Sequence, residues 1–434
     1  MATIDRISPD DAMALATDVG AVPMQVGAVL VLGGEVDPAE LAQRLTERLP
    51  AIPRLRQRLQ PVPFGVGRPP WVDHEGFRLA EHLVSDDGPP PDRDALLELV
   101  ARTVCRPLDR SRPLWRIVLV PRLDGGGAAV IVVFHHVLAD GIGGLAVLAH
   151  LVDGASPTPD DPSFPRPAPT VQALRRDVVG RLGALLTHPV PALRRVRDAL
   201  VQLRPSGAGR VARTSLNSPT GARRQLLTAA VPLDPLHRAA RAHGATVNDA
   251  LLCAVGGALG DVLADRGESV SELVVSMPMS SRREASGAEL GNEVGAVPVR
   301  VPIGGPPAQR LETIARRTAE ARRTTRAAST AIIGPVFRVL SRLGIFGWFV
   351  DHQHLVHTFV TNLRGPDRPL ALLGVPIEAV HAVAMITGNV TASFAALSYA
   401  GSMGLTIIVD PETCQDATSL RDRLQSQLEA ISSL

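Results

Sequence analysis

The sequence predicts an α/β protein in two halves, each built from mixed sheets and helices. Three observations carry that expectation. At 434 residues the chain exceeds what a single hydrophobic core usually fills. Short apolar runs alternate irregularly with segments of helical period, the pattern of mixed sheets rather than of a strict βαβ array. The composition also shifts at 155–170, where ASPTPDDPSFPRPAPT is proline-rich and aperiodic and reads as a linker.

Strand-like runs fall at 25–32, 115–120, 128–134, 226–231, 273–279, 296–301, 358–361, 377–385, 391–399 and 404–409. Helical periods fall at 38–49, 94–105, 143–151, 171–186, 191–203, 234–243, 248–266, 307–327 and 419–431. Asp37-Pro38 places a proline in the first turn of its helix, and Asn248 is expected to cap the run that follows it. The longest uncharged stretch, 379–409, is interrupted by Gly, Ser, Thr and Asn. A spanning helix needs ~20 mostly apolar residues in a row, so this stretch reads as two or three buried strands joined by turns. Between 166 and 224 stand 12 arginines against Asp177 and Asp198. The expected division is an N-terminal domain over 1–165, a basic helical crossover over 166–224 and a C-terminal domain over 225–434.

Composition removes several chemistries. Apolar residues make up 45% and charged residues 20%, an ordinary globular balance. Aromatics are only 3%, so Ala, Val, Leu and Ile must build the core. A net charge of +2 leaves no global footprint for nucleic acid. The chain has no lysine, which excludes a Schiff-base lysine, a lysine general base and a Walker-type phosphate loop. Cys105, Cys253 and Cys414 are widely spaced and form no C-x-x-C pair, which fits a reducing cytoplasm. The acidic start MATIDRISPDD is not expected to act as a signal peptide.

The chemistry concentrates in AAVIVVFHHVLADGIGGLAVLAHLV, residues 128–152. A buried strand ends at His135 and His136, Asp140-Gly141 makes a turn, and a helix follows. Neighbouring residues on a strand point to opposite faces, so the two histidines cannot easily share a metal, and no further ligand motif accompanies them. One faces the core and the other a cleft, where a neutral histidine can accept a proton. The bland alternative is a pair of satisfied core histidines beside a turn. Asp140 either fixes the local backbone or pairs with an arginine.

His135-His136-x-x-x-Asp140-Gly141 resembles the HHxxxDG motif of the CoA-dependent acyltransferase superfamily. The whole chain is similar to the bacterial wax ester synthase/acyl-CoA:diacylglycerol acyltransferase family. The resemblance runs through the opening ISPDDAMALATDVGAVPMQVGAVLVL, Pro113-Leu114-Trp115, Asn248-Asp249-Ala250-Leu251-Leu252, LGNEVGAVPVRVP and the closing LSYAGSMGLTIIVD. Thr361-Asn362-Leu363-Arg364-Gly365-Pro366 lies where the family commonly has SNVPGP, and Glu293 stands where Arg often follows LGN.

The resemblance implies two chloramphenicol-acetyltransferase-like domains with an active-site tunnel between them. It implies His136 as general base on an acceptor hydroxyl, His135 and Gly141 as its motif partners, and Asp140 turned from substrate toward an arginine. Asn248 becomes a candidate oxyanion donor or support for the histidine loop, beside its role as a helix cap. Trp115 is expected as a core aromatic that shapes the tunnel. Thr361, Asn362 and Gly365 are expected to line the substrate channel. The substrates implied are acyl-CoA and either diacylglycerol or a long-chain alcohol, with no cofactor, no metal and no acyl-enzyme.

Two segments are candidates for meeting lipid. The basic crossover reads first as a solvated helical face, then as attraction to CoA phosphates, then as docking on an anionic membrane. Residues 331–350, with Phe337, Phe346, Trp348 and Phe349, read as a core helix, an interfacial helix or a tunnel lid. The location expected is therefore cytoplasmic, at a membrane or lipid-droplet surface. Two other readings stay open: a condensation-type enzyme acting on carrier-bound acyl groups, and a catalytically impaired acyl-binding relative.

Overall fold

The computed structural model describes residues 4–63, 65–139, 141–155, 158, 160–187, 211–280, 294–324, 340–341 and 343–434. Asp140, Glu293, the 191–203 helix and most of 331–342 lie outside the described residues.

The strands in chain order are β1 (Gln25–Leu32), β2 (Gln57–Leu59), β3 (Trp71–Asp73), β4 (Leu83–Ser85), β5 (Trp115–Val120), β6 (Ala128–His135) and β7 (Gln225–Pro232). They continue with β8 (Glu272–Ser280), β9 (Val294–Pro302), β10 (Thr358–Arg364), β11 (Ala371–Leu372), β12 (Val375–Val383), β13 (Ala392–Tyr399) and β14 (Ser402–Val409). Two six-stranded sheets result, ordered β11-β12-β1-β6-β5-β4 and β7-β14-β13-β10-β8-β9, with β2-β3 as a small separate ribbon. Both sheets are mixed: β4 runs parallel to β5, and β10 runs parallel to β8 and β13.

Hydrophobic pattern explains the central strands. Every residue of β6 and of β13 is buried, as expected for unbroken apolar runs inside a sheet. The uncharged stretch 379–409 forms the end of β12, then β13 and β14. The first sheet is completed from the far end of the chain. β12 lies antiparallel along β1, pairing Val29 with His381, although it belongs to the expected C-terminal segment. The first core accordingly includes Leu226, Leu372, Ile377, Leu397 and Ile408. Tyr399 ties the sheets together: its hydroxyl donates to Ile377 O of β12 at 2.9 Å and accepts from Leu370 N at 2.8 Å.

The helix Val247–Asp265 forms much of the second core. Its cap differs from the expected one. Thr246, not Asn248, is the N-cap, in a reciprocal capping box with Asp249. Asp249 also accepts from the Thr318 hydroxyl at 2.6 Å, so this buried carboxylate serves the helix end and its neighbour. Among the described residues one helix, again Val247–Asp265, is long and apolar enough to cross a membrane; 72% of its most apolar window is buried inside the protein.

The described part of the proline tract is strapped to the first half. Arg166 pairs with Asp73 at 2.9 Å, and the Arg56 guanidinium lies 3.9 Å above the Phe164 ring. Beyond it, the helix Val171–Thr187 is anchored through Asp177 to Arg6 at 2.8 Å.

Candidate active site

The register of β6 separates the two histidines. Phe134 and His136 share one side of the chain and line a cavity of about 380 Å³; His135 turns the other way and is buried. His135 Nδ1 accepts from Val137 N–H at 3.1 Å, which assigns the proton to Nε2, 3.0 Å from Asp18 Oδ2. Both ring nitrogens are thereby engaged, so His135 holds the loop and does not face the cavity.

Asp18 was not singled out from sequence, and it organises this end of the strand. One oxygen takes His135 and Arg110, the latter at 2.5 Å; the other accepts from Met24 N–H at 2.8 Å. Met24 O in turn accepts the backbone N–H of His136 at 2.8 Å. Burial pushes the Asp18 carboxyl up, but hydrogen bonds from His135 and Met24 and the charge of nearby groups outweigh it, lowering its pKa to about 2. It is an ionised clamp on both sides of the His135-His136 pair.

The cavity is made by both sheets. Val26, Ala28 and Phe134 come from the first, Ser276, Thr361 and Leu397 from the second, with Met24 just before β1. Its lining is mostly apolar, with His136, Ser276, Thr361, Asn362 and Thr387 as the polar side chains. The helix Gly141–Leu151 opens onto it at Gly141, presenting the positive end of its dipole. A Cβ at Gly141 would sit 2.6 Å from Leu363 Cδ2, so glycine is what lets the helix end approach β10.

Of the residues expected at the site, His136, Gly141, Thr361 and Asn362 meet around the cavity. Asn248 stands behind them: its Oδ1 accepts from Asn362 Nδ2, so it buttresses the residue that faces the cavity. Asn362 Oδ1 is buried with no hydrogen-bond partner among the described residues. Trp115 and Gly365 are not part of the lining. Trp115 Nε1 donates to Leu55 O at 2.7 Å and its ring stacks on His82 at 4.5 Å, a core position. Gly365 is needed where its chain passes β13, because a Cβ there would meet Ser398 O at 2.4 Å. Ser276, Met24 and Thr387 line the cavity without any local sequence signal; only the meeting of the two sheets reveals them.

Two curled mixed sheets sharing a histidine-lined cavity define the class of two-domain, chloramphenicol-acetyltransferase-like acyltransferases. Solved structures show the same fold. A wax ester synthase/diacylglycerol acyltransferase from Marinobacter aquaeolei superposes with a TM-score of 0.70 at 20% identity, covering 99% of this chain and 100% of that one. The starter condensation domain of rhizomide synthetase gives 0.64 at 15% identity, covering 100% and 95%.

The sequence is more specific. Residues 7–251 match the wax ester synthase/diacylglycerol acyltransferase catalytic domain, and residues 290–432 match the C-terminal domain of the same family. The chain belongs to the wax ester synthase/diacylglycerol acyltransferase family. A Mycobacterium tuberculosis protein named "probable diacyglycerol O-acyltransferase" is 29% identical over 436 residues, 95% of this chain and 92% of that protein.

Proposed function

We propose that the chain moves a long-chain acyl group from acyl-CoA to the hydroxyl of diacylglycerol or of a long-chain alcohol. The observation that carries this reading is His136, set in an apolar cavity walled by both sheets. His136 takes the proton of the acceptor hydroxyl as its oxygen attacks the thioester carbonyl. The tetrahedral intermediate collapses, the C–S bond breaks, and the leaving thiolate recovers the proton from the imidazolium. The reaction written this way calls for no acyl-enzyme and no resident cofactor. The oxyanion forms near Thr361, Asn362 and the helix end at Gly141, where fixed dipoles are worth most in an apolar site.

The test is CoA release from palmitoyl-CoA with diacylglycerol or hexadecanol. Wild-type protein should release CoA only with an acceptor, and His136→Ala should lose about two to four powers of ten in rate with its melting temperature unchanged. Normal turnover by a folded His136→Ala variant would refute the mechanism.

The acceptors are nearly insoluble in water, so the cavity must meet them at a lipid surface. Trp348, Leu343 and Leu355 are 67%, 66% and 61% exposed, and Val19 is 53% exposed. The Ser341 hydroxyl bonds to Ala16 O, which holds this segment beside the helix Pro9–Thr17 that precedes Asp18. Asn389 N–H donates to Val350 O at 3.2 Å, next to the cavity-lining Thr387. Phe346, expected among the lipid-facing aromatics, is instead 4% exposed and belongs to the interior. The lipid-facing residues are Val19, Leu343, Trp348 and Leu355, at a membrane or lipid-droplet surface.

A further inference from the structure

A second recess lies between the two halves. It is a groove of about 1010 Å³ between the helix Arg93–Cys105 and β7. Arg93, Arg102, Arg106, Arg223, Arg224 and Arg421 line it, against two carboxylates, Asp94 and Glu98. Among the described residues no carboxylate forms an ion pair with Arg93, Arg106 or Arg224. Arg93 donates to the Thr228 hydroxyl at 2.5 Å. Arg224 is partly buried and, among the described residues, donates to neutral oxygens, those of Gly221, Arg223, Thr220 and Ile386, while its Nε has no partner there. A concave surface of one sign concentrates field and draws counter-charge, and guanidinium groups match phosphate geometry.

The groove also backs onto the catalytic cavity. A void of about 10 Å³ separates them, roughly the room one water occupies. It shares Cys105, Arg224 and Leu226 with the groove, and Val383, Ala384 and Met385 with the cavity. The Arg224 contact to Ile386 O, at 3.2 Å, bridges this layer.

We propose that the groove binds the phosphates at the nucleotide end of acyl-CoA, with the pantetheine arm passing Arg224 to bring the thioester to His136. This rests on the acyl-CoA reading above. Arginines that form no ion pair among the described residues then meet a ligand of matching charge, one layer of side chains from the cavity lined by His136.

The experiment compares wild type with the double charge reversal Arg93→Glu/Arg106→Glu and with the milder Arg93→Ser and Arg106→Ser. Calorimetry with CoA and with pantetheine reads binding directly, so it decides the question even if no acceptor is turned over. CoA binding should weaken about ten- to a hundredfold in the double variant, with pantetheine binding unaltered. In steady state the double variant should lose the preference for palmitoyl-CoA over S-palmitoyl-pantetheine, through KM rather than kcat. The serine variants should show the same trend at smaller size, which covers misfolding of the double variant. Unchanged CoA affinity in all three folded variants overturns the proposal. So does a loss confined to sedimentation with anionic vesicles, which would make the groove a lipid-headgroup site.

Discussion

Asp18 holds both histidines of the motif through different atoms, His135 by its ring and His136 through the Met24 carbonyl. Its pKa of about 2 lies below the ordinary carboxylate value, so folding is favoured while it is ionised. That stabilisation, about 2 kcal/mol, is complete above the unfolded pKa near 4 and is lost as pH falls toward 2. Asp18→Asn should therefore be less stable than wild type in urea at pH 7, and the gap should narrow at pH 2.5. Because the clamp positions His136 without touching substrate, kcat should fall by roughly ten- to a hundredfold while KM for palmitoyl-CoA changes little. A variant with altered KM and normal kcat would show that Asp18 acts on binding instead. Nothing local in the sequence marks Asp18, because an acid after a short helix is ordinary until its burial against His135 is seen. Strand alternation made it legible that the two histidines face opposite ways; that His136 is the one toward the cleft came from the HHxxxDG resemblance.

At the level of elements, the approach of the helix Gly141–Leu151 to β10 depends on the missing side chain at Gly141. Gly141→Ala should cost about 1–3 kcal/mol by overpacking against Leu363, and the penalty should largely vanish in a Leu363→Ala background. Chemical denaturation of the four proteins gives that coupling; additive effects would mean the helix end shifts freely. The long strands and helices were readable because their periods run over many residues. β2, β3, β4 and β11 have two or three residues each, too few for any period, and the helices Pro9–Thr17 and Phe346–Asp351 run only nine and six residues. The helix cap was misread at Asn248 because Thr246, Asn248 and Asp249 are all good capping residues; the Thr-x-x-Asp spacing is the sign that separates them. That β12 joins the first sheet was not legible, since an apolar strand carries no label for the sheet it will complete.

For the whole molecule, two kinds of lipid attraction should be separable by salt. Arginines near an anionic surface contribute ~1 kcal/mol each and are screened by ions, whereas insertion of the exposed Trp348 and Leu343 side chains into lipid is not. Binding to anionic vesicles should weaken at high salt yet persist. Leu343→Ser/Trp348→Ser/Leu355→Ser should abolish the persistent part without unfolding, since all three side chains are exposed. Sedimentation unchanged at high salt would place the lipid contact elsewhere.

The late arrival of β12 bears on how the chain is made. β1 is a central strand of the finished protein, yet one of its edges stays bare until Val375–Val383 leaves the ribosome. That is about 340 residues of synthesis, tens of seconds at translational rates. During that interval the nascent N-terminal half offers an unpaired edge and an uncovered apolar surface, a natural client for chaperones. An N-terminal fragment ending at the proline tract should aggregate when expressed alone, and co-expression of the remaining segment should rescue it by supplying the absent strand.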